Sequence, residues 1–387
     1  MSFLKDLIYS NATEKHLRTK TTAHVRDGVS LKRAMSWVCL WTLPAVLFAW
    51  WNVGYQANLV LHANPQLIDI QDNWRIPLLQ MLVGFDPSSI LANMLHGAMY
   101  FFPIFATAIA VGGIIEVSFV KIRNHLLHEG FMVSATLFTL SVPPTIPLWM
   151  VAVAIAFGVI VGKEVFGGTG MNFLNPALVA RAFLFFAYPS SMTGDSIWIA
   201  AQVNETVQGF SGATPLALAQ IGGVEAIEAA NYTWLQAFLG YMPGSLGETS
   251  TLALAIGGLG IIIMRIASWR IVLSGFVGLI AMSYMFNWIG SDTNPLFAMP
   301  WYWHMVLGGF ALGIFFMATD PVSASMTNTG KLIYGFFIGA SIVFLRVLNP
   351  SFPESVMLAI LLGNLVAPLI DYFVIKANIK RRSIRNG

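Results

Sequence analysis

The sequence predicts an all-α polytopic membrane protein of about ten transmembrane helices in two inverted five-helix halves. Three observations carry this. Hydrophobic residues make up 56% of the 387 and charged residues only 10%, where a soluble domain carries about a quarter charged. Apolar runs recur along the chain at lengths near the roughly 20 residues a helix needs to cross hydrocarbon. The basic residues gather on one side of the resulting layout.

Residues 1–33 form a basic amino-terminal segment with seven Lys and Arg. That is too long for the n-region of a secretory signal, so the first apolar run reads as a retained anchor. Spans are predicted at 34–58, 91–119, 131–142, 147–162 and 173–188 in a first half (34–188). A second half (248–375) holds spans at 249–264, 271–289, 301–318, 332–348 and 355–375, and residues 376–387 form a basic tail. The third and fourth spans are short and joined across Pro143, Pro144 and Pro147, which reads as a broken pair; Pro103 is a potential kink in the second. Between the halves lies a polar loop, 189–247, with four acids and no Lys or Arg. Threading ten spans from a cytoplasmic N-terminus places 18 of the 21 Lys and Arg inside and only Arg75 outside, with Arg181 and Arg346 within spans. This obeys the positive-inside rule, makes both termini cytoplasmic and puts the 189–247 loop in the periplasm. Five spans per half force opposite orientations, the geometry of an inverted repeat. The Gly-, Asn- and Pro-rich segments 167–176 and 319–330 look like its matching breaks, yet both fall on the cytoplasmic side.

Several functions are excluded. One cysteine, Cys39, rules out an intrachain disulfide or a Cys-based cluster, and the scattered His lack metal-ligand spacing. Gly167-Gly168-Thr169-Gly170 lacks the βα context of a dinucleotide fingerprint. The net charge of +3 sits at helix ends as an orientation signal, so no nucleic-acid partner is expected.

Four groups of residues offer chemistry. Ser211-Gly212-Ala213-Thr214 is a small, exposed stretch whose Thr hydroxyl is an acceptor for enzymatic modification; the plain alternative is a flexible turn before Pro215. Glu116 follows Gly112-Gly113, where small side chains admit a flat ring or another helix; alternatively it is an interfacial acid beside Lys121. Asp320 and Asp371 are oxygen donors of the kind a hard cation prefers, against a turn former before Pro321 and a surface charge paired with Lys376. Asn172, Asn175 and Arg181 open the fifth span and suit the polar edge of a flavin, or simple capping and interhelical hydrogen bonds.

Five blocks carry a family resemblance: Gly112-Gly113-Ile114-Ile115-Glu116, Val142-Pro143-Pro144-Thr145, Lys163-Glu164-Val165-Phe166-Gly167-Gly168-Thr169-Gly170, Gly290-Ser291-Asp292-Thr293-Asn294-Pro295 and Ala318-Thr319-Asp320-Pro321-Val322-Ser323-Ala324. Over nearly its whole length the chain resembles the B-subunit family of bacterial sodium-translocating NADH:quinone oxidoreductases. The resemblance implies covalent FMN in phosphoester linkage to Thr214, a second, non-covalent riboflavin and a quinone (ubiquinone) site bordered by Gly112, Gly113 and Glu116. It also implies sodium uptake at acids near the membrane faces, for which Asp320 and Asp371 stand, and a place in a six-subunit complex within the bacterial inner membrane. No catalytic residue and no NADH site are expected on this chain. One departure is Gln208, where the attachment motif has Asp. The related reading is the D subunit of an Rnf-type ferredoxin:NAD+ complex; the reading from another class is a flavin-free solute channel.

Overall fold

Backbone polar groups inside a bilayer must be paired within the protein, so a chain this apolar spans as helices or as a closed barrel. The computed structural model describes residues 31–70, 73–123, 130–201, 212–349 and 354–386, and no strand occurs among them. In the first half, α1 (Leu31–Ala63) leads through two short helices, α2 (Gln66–Ile70) and α3 (Arg75–Leu82). Then come α4 (Ile90–Arg123), α5 (Gly130–Leu140), α6 (Leu148–Gly162) and α7 (Pro176–Ala187). The second half holds α10 (Thr251–Ile263), α11 (Trp269–Ile289), α12 (Trp301–Val306), α13 (Phe310–Leu312, continued by a π turn over Gly313–Met317), α14 (Asn328–Leu348) and α15 (Val356–Asn386). Six described helices have the length and apolarity to cross a bilayer; α5, α7 and α10 are shorter apolar helices. α12 and α13 form a broken span. Each predicted span has a helical counterpart, and α4 runs through Pro103, beside which the Thr107 hydroxyl donates to the Pro103 carbonyl (2.8 Å).

The two halves repeat one packing scheme. Counting five spans in each, the pairs first–third, second–third, second–fourth, third–fifth and fourth–fifth are in contact in both. The two first spans (α1 and α10) touch across the halves, as do the two fifth spans (α7 and α15). This supports the inverted repeat and revises its matching breaks. By element order the α5–α6 connection corresponds to the one between α13 and α14, and the α6–α7 connection to the one between α14 and α15. The segments 167–176 and 319–330 are therefore not partners, which removes the mismatch of side.

Close approach of backbones holds the second half together. At the α11–α14 crossing, a Cβ added at Gly339 would overlap the Gly275 carbonyl, and one at Gly278 would overlap the Phe336 carbonyl. Small residues at such crossings supply the packing that a lipid solvent does not provide. Broken helix ends are satisfied by protein: Leu246 N donates to Val142 O (3.0 Å) and Gly247 N to Leu140 O (2.7 Å).

The 189–247 segment is more than a polar loop. It contains α8 (Pro215–Ala229) and α9 (Trp234–Leu239), and Trp198, Ile199, Ala200 and Ala201 are buried. Thr145 and Tyr100 anchor it by donating to the carbonyls of Ile197 (2.7 Å) and Ala200 (3.1 Å).

Candidate functional site

Two recesses enter the bundle from opposite faces. One lies on the face that carries Leu31 and the end of α15. Its volume is about 690 Å³, and Asn172, Asn175, Lys163, Asp320, Thr169 and Phe316 are among its walls. Asn175 caps α7, its side chain accepting from Ala177 N (3.0 Å), with Pro176 at the first helical position; this is a favoured start for a helix. Asn172 donates to the Leu174 carbonyl (2.9 Å). Asp320 accepts from Ser323 Oγ (2.8 Å) and Val322 N (3.2 Å), and burial pushes its carboxyl up from the usual range.

The other recess, about 350 Å³, is lined by Thr214, Ser245, Glu248, Thr249, Gly308, Gly309 and Glu354, among others. Thr214 is the N-cap of α8, accepting from Ala217 N (3.3 Å) ahead of Pro215. The expectation of an exposed, flexible stretch is corrected: Gly212 and Ala213 are buried and Thr214 is half-buried, because a Cβ at Gly212 would run into the Asp195 carbonyl. Ser211 and Gln208 lie outside the described residues.

Arg181 belongs to this second recess and not to the first, from which Asn172 and Asn175 are reached. Its Nη1 donates to Glu248 Oε1 (2.6 Å) and its Nη2 to Glu354 Oε2 (2.7 Å), with all three side chains largely buried. Burial pushes the Glu354 carboxyl up to about 7, against the lowering pull of Arg181. Arg346, fully buried, donates to the carbonyls of His304 and Leu307 (3.0 Å each) and so caps the broken end of α12. The turn that follows needs glycine: Gly308 and Gly309 have φ of +63° and +70°, and a Cβ on Gly309 would lie 2.7 Å from the Glu248 carboxyl carbon. Glu248 and Glu354 are absent from the sequence-based set of site residues.

Glu116 is not an interfacial acid beside Lys121. It is buried and pairs with the buried ammonium of Lys163, joining α4 to the end of α6. Gly112 faces the Phe131 ring, whereas Gly113 has little against it. Asp371 does not pair with Lys376. Its carboxylate accepts from Ser325 Oγ (2.7 Å), Met326 N (2.7 Å), Thr327 N (3.0 Å) and Thr327 Oγ1 (2.6 Å), tying α15 to the turn that opens α14. Asp371→Ala is therefore expected to lower the thermal midpoint of the purified protein, at a cost of about 2–3 kcal/mol for the lost bonds to a charged acceptor. A midpoint matching the parent would remove this anchoring role.

A ten-span bundle of inverted halves, with polar recesses on both faces and charges buried in pairs, defines a polytopic membrane protein of the carrier or translocase class. The chain belongs to the NQR2, RnfD, RnfE family, whose model matches residues 18–380. It is similar to the B subunit of the Na(+)-translocating NADH-quinone reductase of Ectopseudomonas mendocina, at 60% identity over 368 residues, covering 95% of this chain and 90% of the relative. The protein of the same description from Azotobacter vinelandii is 59% identical over 368 residues with the same coverage. That from Chromohalobacter salexigens is 54% identical over 370 residues, covering 95% of this chain and 88% of the relative.

Proposed function

We propose that this chain is the membrane subunit through which a Na+-translocating NADH:quinone reductase passes electrons. The carrying observation is near-full-length identity of 54–60% to proteins so described. The Rnf-type D subunit shares the family model, but the relatives named above favour the quinone-reducing complex. The concentration of Lys and Arg on the face of both chain ends supports a cytoplasmic location for both termini in a bacterial inner membrane, within a six-subunit complex.

In this reading Thr214 holds FMN through a phosphoester and the Asn175 recess holds riboflavin. The residues fit both groups. Thr214 uses its oxygen as the acceptor in the α8 cap, so its hydroxyl hydrogen is free to be replaced by a phosphoryl group. The Asn175 recess sets two buried amides against apolar walls from Val38, Leu137 and Phe316, the composition expected of a pocket for a flat ring with a polar edge. Flavins, when bound, supply one- and two-electron transfer. The protein's part is to seat them on opposite faces: α7 begins at the riboflavin recess with Asn175 and reaches the floor of the Thr214 recess with Arg181, about 9 Å further along at 1.5 Å per residue.

Asp320 lines the Asn175 recess and is the better-placed sodium ligand of the two acids, since the four hydrogen bonds on Asp371 give it an anchoring role. Gly112, Gly113 and Glu116 border the quinone, with Lys163 holding the Glu116 carboxylate. Asn175→Ala is expected to lower non-covalent riboflavin, measured by chromatography of flavin extracted from the purified complex, and to cost about 1 kcal/mol through the lost cap. The whole reading is tested in inverted membrane vesicles. NADH-driven ubiquinone reduction should load them with Na+, and loss of this chain should abolish both. Quinone reduction persisting without this chain would refute it.

A further inference from the structure

We propose that the Thr214 recess is a monovalent-cation site, formed by the carboxylates of Glu248 and Glu354 and the hydroxyl of Ser245. The inference deepens the reading above and rests on it for the choice of Na+ as the ion. The oxygens themselves are a matter of this structure.

Arg181 makes the two carboxylates converge. One guanidinium bonds Glu248 through Nη1 and Glu354 through Nη2, so acids 106 residues apart in sequence are held at neighbouring points of one rigid fork. The fork leaves much of their acceptor capacity unused. Each carboxylate has about four lone-pair positions. Among the described residues, Glu248 Oε2 has only a 3.4 Å contact with Nη2, and no hydrogen bond reaches Glu354 Oε1.

Ser245 supplies the second, independent sign of a ligand. It lines the same recess, is 2% exposed, and its Oγ has no hydrogen-bond partner. A buried hydroxyl without a partner is costly and calls for a water or an ion. Thr249 adds a further oxygen, which already accepts from Asn52 Nδ2 (3.3 Å). Glycine at 309 keeps the opposite wall clear, since any Cβ there would meet the Glu248 carboxylate. The donors are thus all oxygen, the preference of a hard cation.

The charge balance selects the class of ion. Two carboxylates are offset by Arg181 and by the nearby Arg346, so an incoming ion enters a nearly neutral cluster. That favours weak, exchangeable binding of a single charge over tight capture of a divalent ion. The recess opens on the face opposite the chain ends, away from Asp320, and so serves as a release site.

Two experiments on the assembled complex decide the proposal. In the oxidised complex soaked with Tl+, a heavy stand-in for a monovalent ion, density is expected between Glu248, Glu354 and Ser245, and is expected to vanish in Glu354→Gln. In proteoliposomes with the NADH site outward, preloaded lumenal Na+ should inhibit the initial rate. Ser245→Ala, a change small enough to preserve the fold, should raise the half-inhibiting concentration about tenfold, the loss of one ligand, with Na+ activation from the NADH side unchanged. Absence of Tl+ from the recess of the parent protein, or parent-like inhibition in Ser245→Ala, overturns the proposal. A complex that reduces quinone without moving Na+ would instead sink the functional reading, leaving the Tl+ result to judge the site.

Discussion

Arg181→Met is expected to destabilise the protein by about 3–5 kcal/mol, because it leaves two buried carboxylates facing each other without a counter-charge. The side chains of Arg181, Glu248 and Glu354 are 6%, 8% and 16% exposed, so water cannot take over the role of the guanidinium. The size of the effect depends on pH in a defined direction. Glu354 has its folded value near 7, above the ordinary 4.5, so the folded state keeps a proton that the unfolded state releases. Stability from this carboxyl is full below the unfolded value and is lost as pH rises through the folded one. Arg181 lowers the folded value while Glu248 raises it and Arg346 lowers it. Without Arg181 the folded value climbs, and the deficit of the variant grows between about pH 6 and about pH 8. Adding Glu248→Gln should return part of the loss. Thermal midpoints of the solubilised complex across that range provide the measurement; a deficit that shrinks with rising pH would contradict the account.

Gly339→Val is the second large effect. The atom met by a new Cβ at Gly339 is the Gly275 carbonyl oxygen, part of a helix backbone, so no side-chain rotation can relieve the contact. Overpacking commonly costs about 1–3 kcal/mol where side chains can adjust; here the α11–α14 crossing must separate, and the yield of folded protein should fall to near zero. Gly113→Ala is the matched control, since its nearest neighbour is a Phe131 ring atom at 4.0 Å. Fluorescence-detected size-exclusion profiles of the two variants distinguish them. A Gly339→Val profile matching the parent would mean that this crossing tolerates separation.

Much of the fold is legible in the sequence, and for one reason: lipid as solvent makes apolar run length and Lys/Arg placement direct readings of topology. The ten helical spans follow from those two quantities, and so does the five-plus-five division. The pairing of broken segments does not, because Gly- and Pro-rich composition marks a break without saying which break it matches. The buried charges divide in the same way. Arg181 and Arg346 stand out as charges within spans, which signals a need for partners. The partners, Glu248 and Glu354, sit just ahead of the sixth and tenth spans, and only tertiary packing brings positions 181, 248 and 354 together. Glu116 similarly looks like a neighbour of Lys121 along one helix, yet its partner is Lys163 at the end of another. Asp371 reads as a surface acid until the turn at 325–327 folds over it. Local pattern identifies which residues carry unusual chemistry; contact between distant segments decides what each of them does.

The claim that this chain carries electrons rests most directly on Thr214, and one gel tests it. The chain is expressed with its flavin transferase, denatured, separated by electrophoresis and viewed under ultraviolet light beside Thr214→Val. The expected result is a fluorescent band in the parent that is absent from the variant, despite equal staining for protein. A dark parent band would contradict the account, leaving a ten-span protein without covalent flavin and returning the advantage to a solute channel.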